Sequence, residues 1–574
     1  MPIWHRRRRR LTMGAMKDIR LLGILFLALA VRTAMLFSVF ADVRRAATLD
    51  SGDYYRLGLR WAESGKYESG KRVTLRTFGV SLGSYSPEIF RTPGYPAEIM
   101  AAYKIAMLFR EEDHMSGMEV NSSDLSPPAE YQKILLSFQV LLDLHLVLLT
   151  FFLGRALAGH GAGLAAALLQ AISPLAAAAS CRILSDGTFA FMLTAALILL
   201  LRHFRTGGWW SLLSAGLMMG TACYVRPVGL AFSAVMALVI LCSRRGAGRS
   251  TGVSPVSRRA VSALPQEEKT TGGTPVGPAF AEATAGRLMG EPEGPGTPML
   301  RPMAHPRRFL RTLTFAAVVV GCITPWVVRN ITVANYWGFS SFATDSMYWY
   351  SAAEIEARQQ QQSAEEIRQH FCDEEGWGRM YAGATDPNLP CNDTAGGLAR
   401  YRWDKARSII FAHPWEFLDI HLRGDIAFWL PDATEALEVL GYTSGGKGTL
   451  DVLHRQGLVA AAKHYFGDNT AAMALAGVMA MVLAGGMVVI LLVRYAGVVL
   501  CGMWRLRPHM SAAGWLCLLL VLTAWLLPGP ANHPRFRVPV EPILSAAAAI
   551  GWLGLLQWRR RGVPRTKELS NDER

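Results

Sequence analysis

The sequence predicts an all-α polytopic membrane protein with about ten transmembrane helices and a periplasmic domain of mixed α/β or α type. Three observations predict this class. Of 574 residues, 51% are hydrophobic and only 18% are charged, where a soluble domain carries nearer a quarter. The apolar residues gather into runs of about twenty, the length at which a helix crosses the hydrocarbon core. Only helices and closed barrels satisfy backbone polar groups in lipid, and these runs are too long and unbroken for barrel strands. Finally, arginines concentrate beside alternate runs: Arg6 to Arg10, Arg202 with Arg205, Arg244 with Arg245, Arg307, Arg308 and Arg311, Arg505 with Arg507, and Arg559 to Arg561. Loops that face the cytoplasm carry this bias.

That distribution accounts for the net charge of +15. It also argues against a nucleic-acid partner, which needs basic residues displayed on one folded face.

Taken in order, residues 1–18 form a basic cytoplasmic N-terminus. The run from Leu21 to Phe40 is too long for a signal-peptide core and ends in no small-residue cleavage site, so it reads as a retained anchor helix. Spans are predicted at 19–40, 133–154, 161–180, 183–202, 209–224, 226–243, 311–329, 471–493, 512–529 and 538–558. Alternation then places 41–132 and 330–470 outside and the tail 559–574 inside. The stretch 209–243 is one long helix or two short ones, and Arg226-Pro227 favours the break. Within 41–132, the apolar stretch from Tyr95 to Phe109 is short for a span, and a surface-lying helix is predicted.

The segment 330–470 is long enough to bury a small core of its own. Residues 244–310 form an insertion rich in Gly, Pro, Ser, Thr and Ala, predicted to be cytoplasmic and disordered because it cannot bury enough apolar surface to offset its ordering entropy. The chain thus divides into an N-terminal transmembrane module (19–243, with outer loop 41–132), the insertion, a helix at 311–329, the outer domain 330–470 and C-terminal helices at 471–558. Of eight cysteines, Cys372 and Cys391 alone fall in the outer domain. An oxidising exterior would let them pair, although sequence does not give their separation.

Chemistry points to the membrane boundary. Asp50 and Asp53, in Leu49-Asp50-Ser51-Gly52-Asp53-Tyr54-Tyr55, follow the first span directly. One reading is a solvated loop with a helix N-cap; the other is a carboxylate serving as general base at the membrane face. Arg91 lies in the turn Phe90-Arg91-Thr92-Pro93-Gly94-Tyr95-Pro96, either as an interfacial anchor or as a forked phosphate ligand. Arg226, Arg329, Arg535 and Arg537 fall on the outer side, against the charge bias, which suggests an anionic ligand. Asp186 stands at the outer start of a span. Charges at such depth are functional candidates, with mutual salt bridges as the structural alternative. No HExxH helix, Walker A loop, dinucleotide fingerprint or GxSxG elbow occurs, and no His/Cys cluster has zinc spacing. No metal and no cofactor is therefore expected.

These residues resemble the polytopic GT-C glycosyltransferases, in particular the family 39-like group that includes protein O-mannosyltransferases and lipid A aminoarabinose transferases. Asp50-x-x-x-Tyr54-x-x-Leu57 followed by Gly65-Lys66-Tyr67 is similar to the family's first-loop pattern. Arg91-Thr92-Pro93-Gly94-Tyr95-Pro96 resembles its Arg-x-Pro-x-Tyr-Pro turn. Ser185-Asp186-Gly187, Tyr224-Val225-Arg226-Pro227, Pro325-Trp326-x-x-Arg329-Asn330 and Arg535-Phe536-Arg537-x-Pro539-x-x-Pro542 resemble later motifs in the same order. The resemblance implies a GT-C-like fold and a polyprenyl-phosphate sugar donor. It implies a lipid, glycan or protein acceptor, transfer with inversion at the outer face of the inner membrane, and Asp50 as base. Asp53, Tyr54, Arg91, Tyr95, Asp186, Arg226, Arg329, Arg535 and Arg537 would then bind substrate. The chain departs from several relatives at Phe90, where they carry an acidic residue; here Glu88 stands two places earlier. A lipid flippase or transporter, or an inactive relative, is the competing expectation.

Overall fold

The structure is a computed structural model that describes residues 18–48, 50–70, 85–109, 129–243, 305–377, 389–431, 433–442, 452, 456–466, 470–505 and 511–562. The N-terminus to residue 17, insertion residues 244–304 and the tail from 563 lie outside the described residues.

Helices carry the described fold. In chain order they are α1 Ile19–Ala41, α2 Ser51–Ser64, α3 Gly94–Leu108, α4 Ala129–Ala158, α5 His160–Ala171, α6 Pro174–Ser180, α7 Asp186–Thr206, α8 Trp209–Val225, α9 Gly229–Cys242 and α10 His305–Ala334. A helical unit follows, with α11 Phe342–Ser346, α12 Ala353–Gln360, α13 Ala364–Glu375, α14 Ala395–Ala412, α15 Pro414–Ile426 and α16 Thr434–Leu440. The chain continues through α17 Leu458–Phe466, α18 Thr470–Arg505, α19 Ala512–Leu526 and α20 Glu541–Gly562. Among the described residues the only strands are β1 Glu68–Gly70 and β2 Tyr85–Pro87, an antiparallel pair. The unit between α10 and α18 is therefore α rather than mixed α/β in its described part.

Among the described residues six helices are long and apolar enough to cross a membrane: Ile19–Ala41, Glu130–Ala158, Asp186–Thr206, Arg307–Ala334, Gly477–Met503 and Pro534–Arg559. The pair α5 and α6, bent by 61°, makes a seventh if taken as one broken span. Each of the ten predicted spans coincides with helical structure, but α8, α9 and α19 have only 17, 14 and 15 residues. That is short of the roughly 20 that a straight crossing needs, which reduces about ten predicted spans to six or seven by length. The stretch 209–243 breaks at Arg226-Pro227, where proline cannot donate to the helix ladder.

The broken span is held by buried polar groups. Arg32 of α1 donates to the carbonyls of Ala171 (2.6 Å) and Gln170 (3.2 Å) at the end of α5 and ion-pairs with Asp143 of α4 at 2.5 Å. Ser173 caps α6 and donates to Glu541, which also pairs with Arg494 at 2.7 Å and Arg537 at 3.3 Å. In lipid an orphaned backbone group costs several kcal/mol, so these side chains make the break tolerable. One large core runs through α1, α4, α7, α8, α9, α19 and α20. In the helical unit, Tyr348, Ile355, Ile367 and Phe371 centre a second core. Cys372 and Cys391 are buried in one small cluster with Trp377 and Leu389, and no disulfide joins them among the described residues. Burial, then the nearby Glu375 carboxylate, pushes the Cys372 thiol up to about 12.

Candidate active site

The predicted residues converge at one end of the bundle, where α1 ends, α7 and α20 begin, and α8 gives way to α9. Asp50 occupies the N-cap position of α2, yet its side chain makes no cap hydrogen bond. It turns instead to the arginines: Arg91 donates to Oδ1 at 2.7 Å and Arg535 to Oδ2. The N-cap alternative for this aspartate is thereby excluded. Asp53, one turn on, accepts from Arg56 at 2.7 Å and from Arg91 at 3.4 Å. Burial opposes the charge on Asp50, but the Arg91 and Arg535 guanidiniums outweigh it and hold the carboxyl well below the usual range.

Aromatic groups position the cations. The Arg91 guanidinium lies over Tyr54 at 4.7 Å and Phe90 at 4.8 Å. Tyr54 packs edge-on against Tyr95 at 4.9 Å and shares a 3.1 Å hydrogen bond with Ser185. Buried Tyr95 donates to Gln139, whose amide donates to the carbonyls of Arg182 and Leu184, both at 3.1 Å. This chain locks α2, α3, α4 and the start of α7 together. Asp186 opens α7 and ion-pairs with Arg226 at the α8–α9 break. Arg226 and Arg535 flank the Phe536 ring at 5.5 and 5.4 Å. Arg91 and Arg535 each keep a buried Nε–H without a hydrogen-bond partner among the described residues. Buried orphan donors of this kind point to a missing acceptor.

The Arg91 turn is built from below. Glu88 accepts the backbone N–H groups of Phe90 (2.6 Å) and Arg91 (2.9 Å), so it shapes the turn. Burial raises its pKa. Gly94 is required where α3 meets α8: a Cβ there would stand 2.6 Å from the Tyr224 carbonyl.

Two predicted substrate ligands are placed elsewhere. Arg329 donates to the backbone carbonyls of Glu88 (2.6 Å) and Tyr67 (2.8 Å) and stacks over Trp326 at 4.7 Å. Asn330 donates to Gly338 and Phe339, and Ser340 to the Phe90 carbonyl at 2.7 Å. The Pro-Trp-x-x-Arg-Asn motif is thus the bed beneath the Arg91 turn. Arg537 donates to the Phe428 carbonyl (2.7 Å) and Tyr495 hydroxyl (2.8 Å) beside Glu541. Among the described contacts neither reaches Asp50. Arginine satisfies backbone carbonyls as well as anions, and sequence does not distinguish the two uses.

Sequence reasoning passed over Phe536, although it lies between two chosen arginines. It also passed over Glu98, where Thr188 donates at 2.9 Å and burial pushes the carboxyl up to about 8. Arg182 pairs with Glu435 (2.9 Å) and Glu438 of α16, tying that helix to the loop before α7. No local pattern announces a pair so far apart in sequence. Among the described residues no group of three or more His, Cys, Asp or Glu side chains could hold a metal ion.

Residues 77–244 match the family model described as Dolichyl-phosphate-mannose-protein mannosyltransferase. The match contains Arg91, Tyr95, Asp186 and Arg226; Asp50 and Arg535 lie outside it. No curated protein sequence matches the chain. Among solved structures, it is similar to the Archaeoglobus fulgidus oligosaccharyltransferase tethered with an acceptor peptide, at 14% identity over 94% of this chain and 50% of that one, with a TM-score of 0.46. It is also similar to AglB from the same organism in complex with an inhibitory peptide and a dolichol-phosphate (14%, 96% and 52%, 0.44). ArnT from Cupriavidus metallidurans bound to undecaprenyl phosphate is a further likeness (13%, 92% and 77%, 0.32). The chain spans about half the length of the oligosaccharyltransferase chains it matches.

Proposed function

We propose that the chain is a membrane glycosyltransferase that moves a sugar from a polyprenyl-phosphate donor to an acceptor on the periplasmic face. The observation that carries this reading is the Asp50 carboxylate held between two guanidiniums at the end of a transmembrane bundle. The family match over residues 77–244 supports it.

In the reaction, an acceptor hydroxyl passes its proton to Asp50 as its oxygen attacks the anomeric carbon. The bond from that carbon to the phosphate oxygen breaks, with inversion, and the polyprenyl phosphate leaves with the electron pair. Arg91 and Arg535 meet the charge that grows on the phosphate, and their unpartnered Nε–H groups offer it further donors. Clamped by both arginines, Asp50 is a weak base, because its carboxyl is held so far down. A donor phosphate competes for the same guanidiniums and loosens them from the carboxylate. Its basicity then recovers only with donor in place. Asp53, Tyr54 and Tyr95 hold Arg91 in position, and the Asp186–Arg226 pair holds the opposite wall. Arg329 and Arg537 act through the backbone they support. We place the helical unit 335–442 on the same face, as part of the acceptor side.

The test is a cell-free assay on purified protein with radiolabelled polyprenyl-phosphate sugars and a lipid-extract acceptor. Release of polyprenyl phosphate by wild type, absent in Asp50→Asn, is the expected result. No turnover with any donor removes the transferase reading in favour of a flippase or an inactive relative.

A further inference from the structure

Helix α15 lies in the segment 330–470, which the sequence alone places outside the membrane, yet it carries three distinct faces. One is buried: Phe417 and Ile420 pack into the core of the helical unit. The second is charged: Glu416, Asp419 and Arg423 recur at helical spacing, and Asp419 accepts from Arg358 at 2.6 Å and Arg423 at 2.9 Å. The third is apolar and open. Trp415, Leu418, Leu422 and Ile426 are 78%, 45%, 54% and 60% exposed. Steps of three and four residues place all four on one stripe. Phe411 just before the helix and Leu430 just after it are exposed as well. A contiguous apolar stripe of this kind marks a membrane or partner surface.

The contacts of α15 fix its depth. His421 donates to the Leu526 carbonyl at 2.6 Å, and Trp525 to the Asp425 carbonyl at 3.0 Å. Asn532 donates to the Asp425 carboxylate at 3.0 Å. A Cβ on Gly424 would overlap the Gly529 carbonyl, so the two backbones touch. Helix α15 is thus seated on the last turn of α19. That helix has 15 residues and no charged side chain. At 1.5 Å per residue it is about 22 Å long, against about 30 Å for the hydrocarbon core. Its start at Ser511 follows Arg505 and Arg507 and so lies at the far boundary. Leu526 then stops about 8 Å inside the near one. An interfacial helix sinks its apolar face by about 5–10 Å, which is the depth α15 occupies. Leu526 and Leu527 are themselves exposed, and they extend the apolar surface of α19 to the turn that α15 touches.

We propose that α15 is an interfacial helix whose apolar stripe lies in the lipid leaflet at the Asp50 end of the bundle. Acyl chains, rather than a second protein, cover Trp415, Leu418, Leu422 and Ile426. Two observations favour lipid: the stripe is continuous with a membrane-spanning helix, and its depth makes up what α19 lacks in length. Trp415 suits the boundary between acyl chains and head groups. The face of Glu416, Asp419 and Arg423 then turns to water. One consequence reaches the candidate active site. Asp425 is tied to Asn532, three residues before Arg535, so the bilayer surface sets the height of the helical unit over that site. The inference stands whether or not the transfer chemistry holds.

The experiment uses the full chain in nanodiscs of dioleoyl phosphatidylcholine. The photoreactive residue p-benzoylphenylalanine is placed singly at Leu418, Leu422, Glu416 or Asp419, and irradiated protein is analysed by mass spectrometry. Lipid adducts are expected several-fold more often from Leu418 and Leu422 than from Glu416 and Asp419. A second measurement keeps the test valid if a photoprobe disturbs folding. Tryptophan quenching by lipids brominated on the upper acyl chain is compared between wild type and Trp415→Phe, a conservative change at an exposed position. The wild type is expected to lose more fluorescence, and the difference is the share of Trp415. Absence of lipid adducts at Leu418 and Leu422, or equal yields at all four positions, overturns the proposal. Cross-links from the stripe to a second copy of the chain, or to another segment of the same chain, overturn it as well. So does equal quenching of wild type and Trp415→Phe.

Discussion

Asp50 and Arg535, 485 positions apart in sequence, form a direct ion pair at the mouth of the bundle, with Arg91 on the other carboxylate oxygen. The pairing explains why Asp50 leaves its N-cap role unfilled. It also sets up an exchange in which an incoming anion competes with Asp50 for the arginines. Asp50→Asn is expected to lower turnover by about 10²–10⁴-fold, the usual worth of a positioned base. Donor affinity should be unchanged or tighter, because the guanidiniums lose their internal competitor. Single-turnover assays beside equilibrium donor binding check this, and a parallel loss of both quantities contradicts it.

Substitutions at Arg535 and Arg537 should separate site from scaffold. Arg535→Lys keeps a cation near Asp50 but loses the fork, so turnover is expected to fall about tenfold or more. Stability should change by less than about 1 kcal/mol, because the pair is partly solvated. Arg537→Met removes a partner from buried Glu541 and the donor to the Phe428 carbonyl. It is expected to cost about 3 kcal/mol and to reduce accumulation in the membrane, while the folded fraction keeps near-normal turnover. Thermal unfolding with turnover per folded molecule distinguishes the two.

Gly94→Ala tests the close approach of α3 to α8. The new Cβ meets the Tyr224 carbonyl at 2.6 Å, and both partners are backbone, so α3 must shift. A loss of about 1–3 kcal/mol is expected, with a further drop in turnover because α3 follows directly from the Arg91 turn. Unchanged unfolding temperature would show that the helices do not touch there.

Glu98 predicts a pH dependence of the opposite sign from a salt-bridged carboxylate. Its folded pKa stands at about 8, raised by burial above an ordinary value of 4.5. Between those values the folded state binds more protons than the unfolded state, so its contribution to stability is present below about 4.5 and is lost as pH rises toward 8. Glu98→Gln, which retains the partner for Thr188, should flatten the fall in unfolding temperature over that window. An identical slope in both proteins excludes the assignment.

The sequence was sufficient for the helical polytopic class, because runs of apolar residues and the backbone's need for internal hydrogen bonds in lipid are local properties. It also singled out Asp50, Arg91, Asp186, Arg226 and Arg535 as candidates, since charges beside apolar runs stand out wherever they fall, while Tyr95 entered only through the family resemblance. The break at Arg226-Pro227 was legible for the same reason: proline acts on its own turn of helix. What a given arginine does was not legible. Arg91 and Arg535 face a carboxylate, while Arg329 and Arg537 face backbone carbonyls, and that choice depends on which distant segment folds against each. The tertiary structure alone decided that Asp50 abandons its cap to pair with Arg535, that Arg226 reaches the Phe536 ring, and that Arg182 pairs with Glu435 and Glu438. Each is a contact between segments far apart along the chain, fixed by packing rather than by any residue's neighbours.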